Sequence, residues 1–198
     1  MQEKAVKAFI GMGSNLGDSQ ALLQEAWRAL GEVDGIVLDG LSSPYMTAPV
    51  DMASQHWFTN AVGRVRTTLS PHALLHVLLA IEASFGRTRS KKKMAYQDRS
   101  LDLDLLYYGD TVMDSPELIL PHPRIGDRLF VLVPLIELEP ECIDSFSKKP
   151  VSALETRLRT RIALSGTHQQ EIIHGLWNEE ANLQSDEKDD TLFTGSGS

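Results

Sequence analysis

Cysteine is almost missing from this 198-residue chain: Cys142 stands alone, so no intrachain disulfide can form and a reducing setting is expected. Basic charge is also scarce. Lys and Arg number 19 against 27 Asp and Glu, giving a formal net charge of −8 and a pI near 5.2. That balance argues against coating nucleic acid or binding an anionic membrane. No apolar run approaches the roughly 20 residues of a membrane span. The first residues carry neither a basic-then-apolar leader nor an Arg/Ser-rich transit pattern. The expectation is a cytoplasmic protein without nucleic-acid or membrane partners. What is present is an ordinary globular composition, 42% hydrophobic and 23% charged, sufficient for one core.

Turn and cap signals divide the chain. Residues 5–12 read as a strand, and "GSNLGD" as a turn with two glycines. Asp18 or Ser19 can cap a helix running to about Leu30, with Leu22, Leu23, Ala26 and Leu30 on one stripe. Strands are expected over 36–47 and 57–68. Ser70-Pro71 starts a second helix, which Gly86 stops. A strand at about 99–108 follows a basic loop. Beyond it, prolines break residues 116–140 into short strands and turns, with one helix from about Gly126 to Leu138. The order β-α-β-β-α-β is that of an α+β, ferredoxin-like fold: an antiparallel sheet with helices on one face. A C-terminal helical extension starts near Ser152. Residues 1–165 are taken as one domain and 166–198 as an extension, largely disordered after about 183.

The stretch "DRSLDLDLLYYGD" sets the chemical question. Strand alternation puts Leu101, Leu103, Leu105 and Tyr107 on one face and Asp102, Asp104, Leu106 and Tyr108 on the other. Two neighbouring carboxylates on an oily strand repel one another. They suit hard divalent cations such as Mg²⁺, which take one or two carboxylates and complete their shell with water and phosphate. Alone, D-x-D fits a solvated strand face equally well. The window 87–99 adds Arg87, Arg89, Lys91, Lys92, Lys93 and Arg99, six of the 19 basic residues, opposed only by Asp98. Carboxylate-held metal beside guanidinium forks is what a polyphosphate requires. The lysines by themselves read as a solvated loop. Glu82 falls inside the apolar face of the second helix, either at the core margin or held by hydrogen bonds at a site. His122, between Pro121 and Pro123, is either structural or a donor to phosphate. "GMGSNLG" lacks the dinucleotide and Walker spacings and reads as a tight turn.

In order along the chain stand "GSNLGD", "TAPV" (47–50), "FTNAV" (58–62), "IE…FGRTR" (81–89), "RSLDLDLLYYGD" (99–110) and "PHPRIGDRLFVLVPL" (121–135). Together they resemble the 6-hydroxymethyl-7,8-dihydropterin pyrophosphokinase family of folate biosynthesis, over about residues 5–160. The resemblance implies pyrophosphate transfer from ATP, as co-substrate, to the hydroxymethyl group of the pterin, with release of AMP. It implies two Mg²⁺ ions on Asp102 and Asp104, and Arg87 and Arg99 acting with them in catalysis. By the same resemblance Phe58 and Phe130 sandwich the pterin, and Thr47, Val50 and Asn60 meet its polar edge. Arg87, Arg89, Arg99, His122 and Arg128 meet the phosphates, and Glu82 orients. Two departures stand out: Tyr96 lies nearest the place where some members carry a Trp over the pterin, and Pro123 replaces a Tyr that some carry. The expected partners are ATP and the pterin, with the protein a monomer. On the residues alone, two rivals stay open: a metal-dependent phosphohydrolase or nucleotidyltransferase, and an RNA-binding ferredoxin-like module, which the aspartates disfavour.

Overall fold

A computed structural model of the chain describes residues 4–48, 57–86, 100–165 and 170–178. Its first strand, β1 (Val6–Ser14), alternates: Ala8, Ile10 and Met12 enter one core, while Phe9 points to the other side. The strand therefore extends through Gly13 and Ser14, which the sequence reading had placed in a turn. Asp18 then caps α1 (Ser19–Gly31) by accepting the Ala21 amide at 3.1 Å. The expected strand over 36–47 is two strands, β2 (Ile36–Leu41) and β3 (Tyr45–Thr47). They are separated by Ser42-Ser43-Pro44, where proline has no amide to give to a ladder. Both pair antiparallel with the long β4 (Phe58–Thr67), one on each half.

Ser70 caps α2 (Pro71–Ser84), its hydroxyl accepting the Ala73 amide, with Pro71 in the first turn. β5 (Asp102–Tyr108) returns beside β1. The sheet runs β5-β1-β4-β3, with β2 sharing the β4 edge, and every pairing is antiparallel. This is the ferredoxin-like order expected from the sequence. A two-strand ribbon, β6 (Met113–Asp114) and β7 (Ile119–Leu120), precedes a 3₁₀ turn over Ile125–Asp127 and α3 (Leu129–Leu138). The helix expected from Gly126 thus begins at Leu129.

The two helices of this order, α1 and α2, share one face as expected, and α3 and α4 take the other. Leu23, Ala26 and Leu30 of α1 and Leu74, Leu78 and Ile81 of α2 cover one side of the sheet. On the other, Leu129, Leu132 and Leu135 of α3 and Leu158 of α4 (Val151–Ser165) pack on Phe9, Val62 and Tyr107. Truncating fully buried Leu78 or Leu132 to alanine would cost roughly 2–5 kcal/mol. A further correction concerns β5. Its register against β1 slips between Phe9 and Ile10, leaving Leu106 as a bulged residue. Leu106 and Tyr107 consequently both face α3, and Tyr108 faces the α1–α2 core. Strict alternation had put Tyr107 on the face opposite Leu106.

The C-terminal extension contributes more than helix. Ile172–His174 forms β8, which pairs antiparallel with β3 and lengthens the sheet. Trp177 packs against the α1–α2 core and donates its indole N–H to the Ser42 carbonyl at 2.9 Å. Residues 179–198, including the segment expected to be disordered, lie outside the described residues. No described helix is long and apolar enough to cross a membrane.

Candidate active site

β5 lies at one end of the sheet order, so its outward amides need partners from elsewhere. Glu82 supplies one. It projects from α2, is 2% exposed, and its Oε1 accepts the Leu103 amide at 2.8 Å. The anomaly in the helical pattern is thus resolved: this carboxylate grips the strand between Asp102 and Asp104.

The two aspartates project toward the α3 face, Asp102 opposite Gly13 and Asp104 opposite Gly11 of β1. Gly13 is in turn paired with Asn60 of β4, and Asn60 with Tyr45 of β3. A methyl group at Gly13 would come within 3.1 Å of Asn60 Oδ1. Glycine therefore leaves open floor between the acids and the amide. The sequence held a usable sign of this: Gly11 and Gly13 alternate with apolar Ile10 and Met12, a strand period rather than a turn. Asn60 is buried, and its Nδ2 donates to buried Thr47 Oγ1 at 2.9 Å. Phe58 opens β4 opposite Thr47. Phe130 sits in the first turn of α3, half-buried, with the Arg128 guanidinium 5.5 Å from its ring centre.

Arg128 reaches the other way as well, with Nη1 3.4 Å from Asp104 Oδ2. The His122 amide donates to the Leu106 carbonyl at 2.9 Å, which ties the ring's backbone to β5 just past the aspartates. Its Nδ1 accepts the Arg124 amide at 3.2 Å. The ring proton is thereby assigned to Nε2, making that atom a donor. Burial pushes His122 below its ordinary 6.5; Asp104 and Asp102 pull it up, and Arg128 pushes it down.

A cleft of about 470 Å³ gathers Glu82, Asp102, Asp104, His122, Arg124 and Arg128. Arg124, the last residue of "PHPR", was not among the expected site residues. Thr47, Phe58, Asn60 and Phe130 are not in the cleft lining but lie along the sheet face that α3 covers. Val50, Arg87, Arg89, Tyr96 and Arg99 lie outside the described residues.

Among the described residues no group of three or more His, Cys, Asp or Glu side chains could hold a metal. An all-protein cage is thus not what the described residues offer. Two carboxylates on one strand face, opening into a cleft with arginine and a histidine donor, fit Mg²⁺, which completes its shell with water and phosphate oxygens.

Away from the cleft, Glu137 of α3 ties that helix to β3. Its carboxylate accepts the Ser43 amide and hydroxyl at 2.9 Å and the Tyr45 hydroxyl at 2.8 Å. Burial pushes Glu137 upward, but the Ser43 amide, the Tyr45 and Ser43 hydroxyls and nearby His174 together hold it below its ordinary value. Burial and the same carboxylate push the Tyr45 phenol up to about 12.

Known proteins share both sequence and fold. The profile of the 7,8-dihydro-6-hydroxymethylpterin-pyrophosphokinase family matches residues 9–140. A 2-amino-4-hydroxy-6-hydroxymethyldihydropteridine pyrophosphokinase of Methylorubrum extorquens is 39% identical over 137 residues, covering 69% of this chain and 85% of its own. One from Porphyromonas gingivalis is 41% identical over 133 residues, covering 67% and 90%. The Plasmodium falciparum HPPK-DHPS wild type, solved with pterin and p-hydroxybenzoate, superposes over 87% of this chain and 47% of its own. The TM-score is 0.69 at 14% identity, a likeness of fold. By its sequence, the chain belongs to the 7,8-dihydro-6-hydroxymethylpterin-pyrophosphokinase family.

Proposed function

We propose that this chain transfers pyrophosphate from ATP to the hydroxymethyl group of 6-hydroxymethyl-7,8-dihydropterin in folate biosynthesis, releasing AMP. The observation that carries the reading is the acidic pair. Asp102 and Asp104 stand side by side on an edge strand, beside Arg128 and the His122 donor, at one end of a sheet face that also bears Asn60 and Thr47.

Asp102 and Asp104 would hold two Mg²⁺ ions, which when bound neutralise phosphate charge and lower the pKa of the coordinated hydroxyl. Arg128 neutralises phosphate oxygens while balancing Asp104. His122 donates from Nε2 to a phosphate oxygen; with Nδ1 occupied by the Arg124 amide, the ring serves as a donor rather than a base. Phe58 and Phe130 sandwich the pterin ring, and Thr47, Val50 and Asn60 meet its polar edge. Arg87, Arg89 and Arg99 bind the phosphates from the basic segment, with Arg87 and Arg99 acting in catalysis and Tyr96 covering the pterin. The pterin oxygen forms its bond to the β-phosphorus in line, the bond from that phosphorus to the AMP oxygen breaks, and the hydroxyl proton passes to solvent water. Catalysis is then mainly positioning and charge neutralisation. Residues 1–165 form the catalytic domain and 166–198 an extension of it, and the protein acts as a cytoplasmic monomer.

The deciding experiment is AMP release from ATP and Mg²⁺ with and without hydroxymethyl-dihydropterin. The transferase reading requires AMP only with the pterin. Phosphate release without it would instead favour a phosphohydrolase using the same acids.

A further inference from the structure

The N-terminus of α3 carries two of the proposed ligand contacts yet has no cap of its own. Its capping position is Arg128, a pure donor, which makes no side-chain bond to the helix amides. The missing acceptor comes from a distant part of the chain. Gln170 Oε1 accepts the Leu129 amide at 2.8 Å, and Gln170 Nε2 donates to the Asp127 carbonyl at 2.8 Å. One carboxamide thus brackets Arg128 from both sides. Gln170 lies beyond the region that matches the family profile, which ends at residue 140.

The chain after Gln170 is anchored in turn. Ile172 pairs with Thr47 in the β8–β3 ladder. The Gly175 amide donates to the Pro44 carbonyl at 2.8 Å, and the Trp177 indole donates to the Ser42 carbonyl at 2.9 Å. The Asn178 amide donates to Gln20 Oε1 at 3.1 Å. Residues 170–178 form a strap from the start of α3 across the sheet edge to α1.

We infer that Gln170 is a positioning residue for the reaction: its carboxamide fixes the first turn of α3 so that Arg128 is set against Asp104 and Phe130 stands over the sheet face. It acts through those two side chains, by its bonds to the Leu129 amide and the Asp127 carbonyl. The inference rests on the proposed roles of Arg128 and Phe130.

The experiment uses the full chain with Gln170→Ala, Gln170→Glu, Arg128→Ala and Phe130→Ala, and the doubles combining Gln170→Ala with each of the last two. Calorimetry with 6-hydroxymethyl-7,8-dihydropterin and with a nonhydrolysable ATP analogue plus Mg²⁺ gives Kd, and steady-state assays give KM and kcat. To the extent that the cap's stabilisation goes into holding the first turn in its binding position, its loss reads as up to roughly a fivefold weaker Kd. Gln170→Ala should therefore raise the pterin Kd by up to that factor, and add little further loss on the Phe130→Ala background. Gln170→Glu keeps an acceptor for Leu129 but sets an oxygen against the Asp127 carbonyl, so it should fall between wild type and alanine; it also carries the test should the alanine variant be unstable. Wild-type affinity in both Gln170 variants, or a full additional loss on both truncated backgrounds, would overturn the inference while leaving the site reading intact. Unchanged affinities in Arg128→Ala and Phe130→Ala would instead overturn the site reading, and the role of Gln170 with it.

Discussion

Glu82 Oε1 stands 2.8 Å from the Leu103 amide, so a carboxylate from α2 closes the outer edge of β5 between the two aspartates. The buried pair fixes the height of the acidic strand relative to the helix layer. Glu82→Ala would leave a buried amide unpaired, at a cost of about 1–3 kcal/mol. Glu82→Gln keeps an acceptor and should cost less. Chemical denaturation should rank wild type, Gln and Ala in that order, and AMP release should fall in the same order. Equal stability of the two variants would show that the amide bond is not what Glu82 contributes.

Asp102→Ala and Asp104→Ala should each lower turnover by at least about a hundredfold, since the metal they would hold supplies several kcal/mol of charge stabilisation. The fold should lose no more than about 1 kcal/mol, because neither side chain enters the core. Titration with Mg²⁺ in the presence of the ATP analogue should show weakened metal affinity in both. Near-normal turnover in either one removes the acidic pair from the mechanism.

Gly13→Ala sets a methyl group about 3.1 Å from Asn60 Oδ1, tight enough that the amide must shift. Its bond to Thr47 then lengthens or breaks. Pterin affinity should drop several-fold with ATP-analogue affinity nearly untouched, as read by calorimetry.

Phe130→Ala and Arg128→Ala should separate the two ligands. The first removes one aromatic face and should weaken pterin binding by about 1–3 kcal/mol, a figure typical of stacking on an aromatic platform. The second should weaken the ATP analogue more than the pterin, because Arg128 faces Asp104. A reversed ranking would exchange their roles.

Glu137 makes the α3–β3 tie sensitive to acid. Its carboxyl is held below its ordinary value of 4.5. A carboxyl depressed in the folded state stabilises the fold above its unfolded value and loses that contribution as pH falls through the folded one. Thermal midpoints followed downward from pH 5 should therefore fall more steeply in wild type than in Glu137→Gln. Parallel curves would mean that the Ser43 and Tyr45 bonds do not favour the ionised carboxyl.

Much of this architecture is legible in local signals. Ser70-Pro71 and Asp18 mark helix starts because a capping oxygen and a fixed φ act within one turn. The aspartates announce their shared face because strand parity is local. What escapes depends on distant partners. Ile172–His174 has only three residues and little burial; it is a strand because β3 offers it a ladder. The break at Ser42–Pro44 hides inside an apolar pattern that continues on both sides. Nor could the sequence tell that α3 and α4 take the opposite face, since a helix's own pattern does not say which side of the sheet it will meet. Glu82 was visible as an oddity, yet its purpose required the edge of β5 to be beside it.

The bulge at Leu106 separates one strand into two independent halves. Before it, residue parity sets Asp102 and Asp104 on the α3 face; after it, parity is reset so that Tyr107 and Tyr108 satisfy the two cores. Were Leu106 instead paired regularly opposite Phe9, Tyr107 would fall opposite Ala8 and turn to the α1–α2 core, with the acids undisturbed. The acidic and the aromatic halves of β5 thus keep separate registers, and a change in one need not carry over into the other.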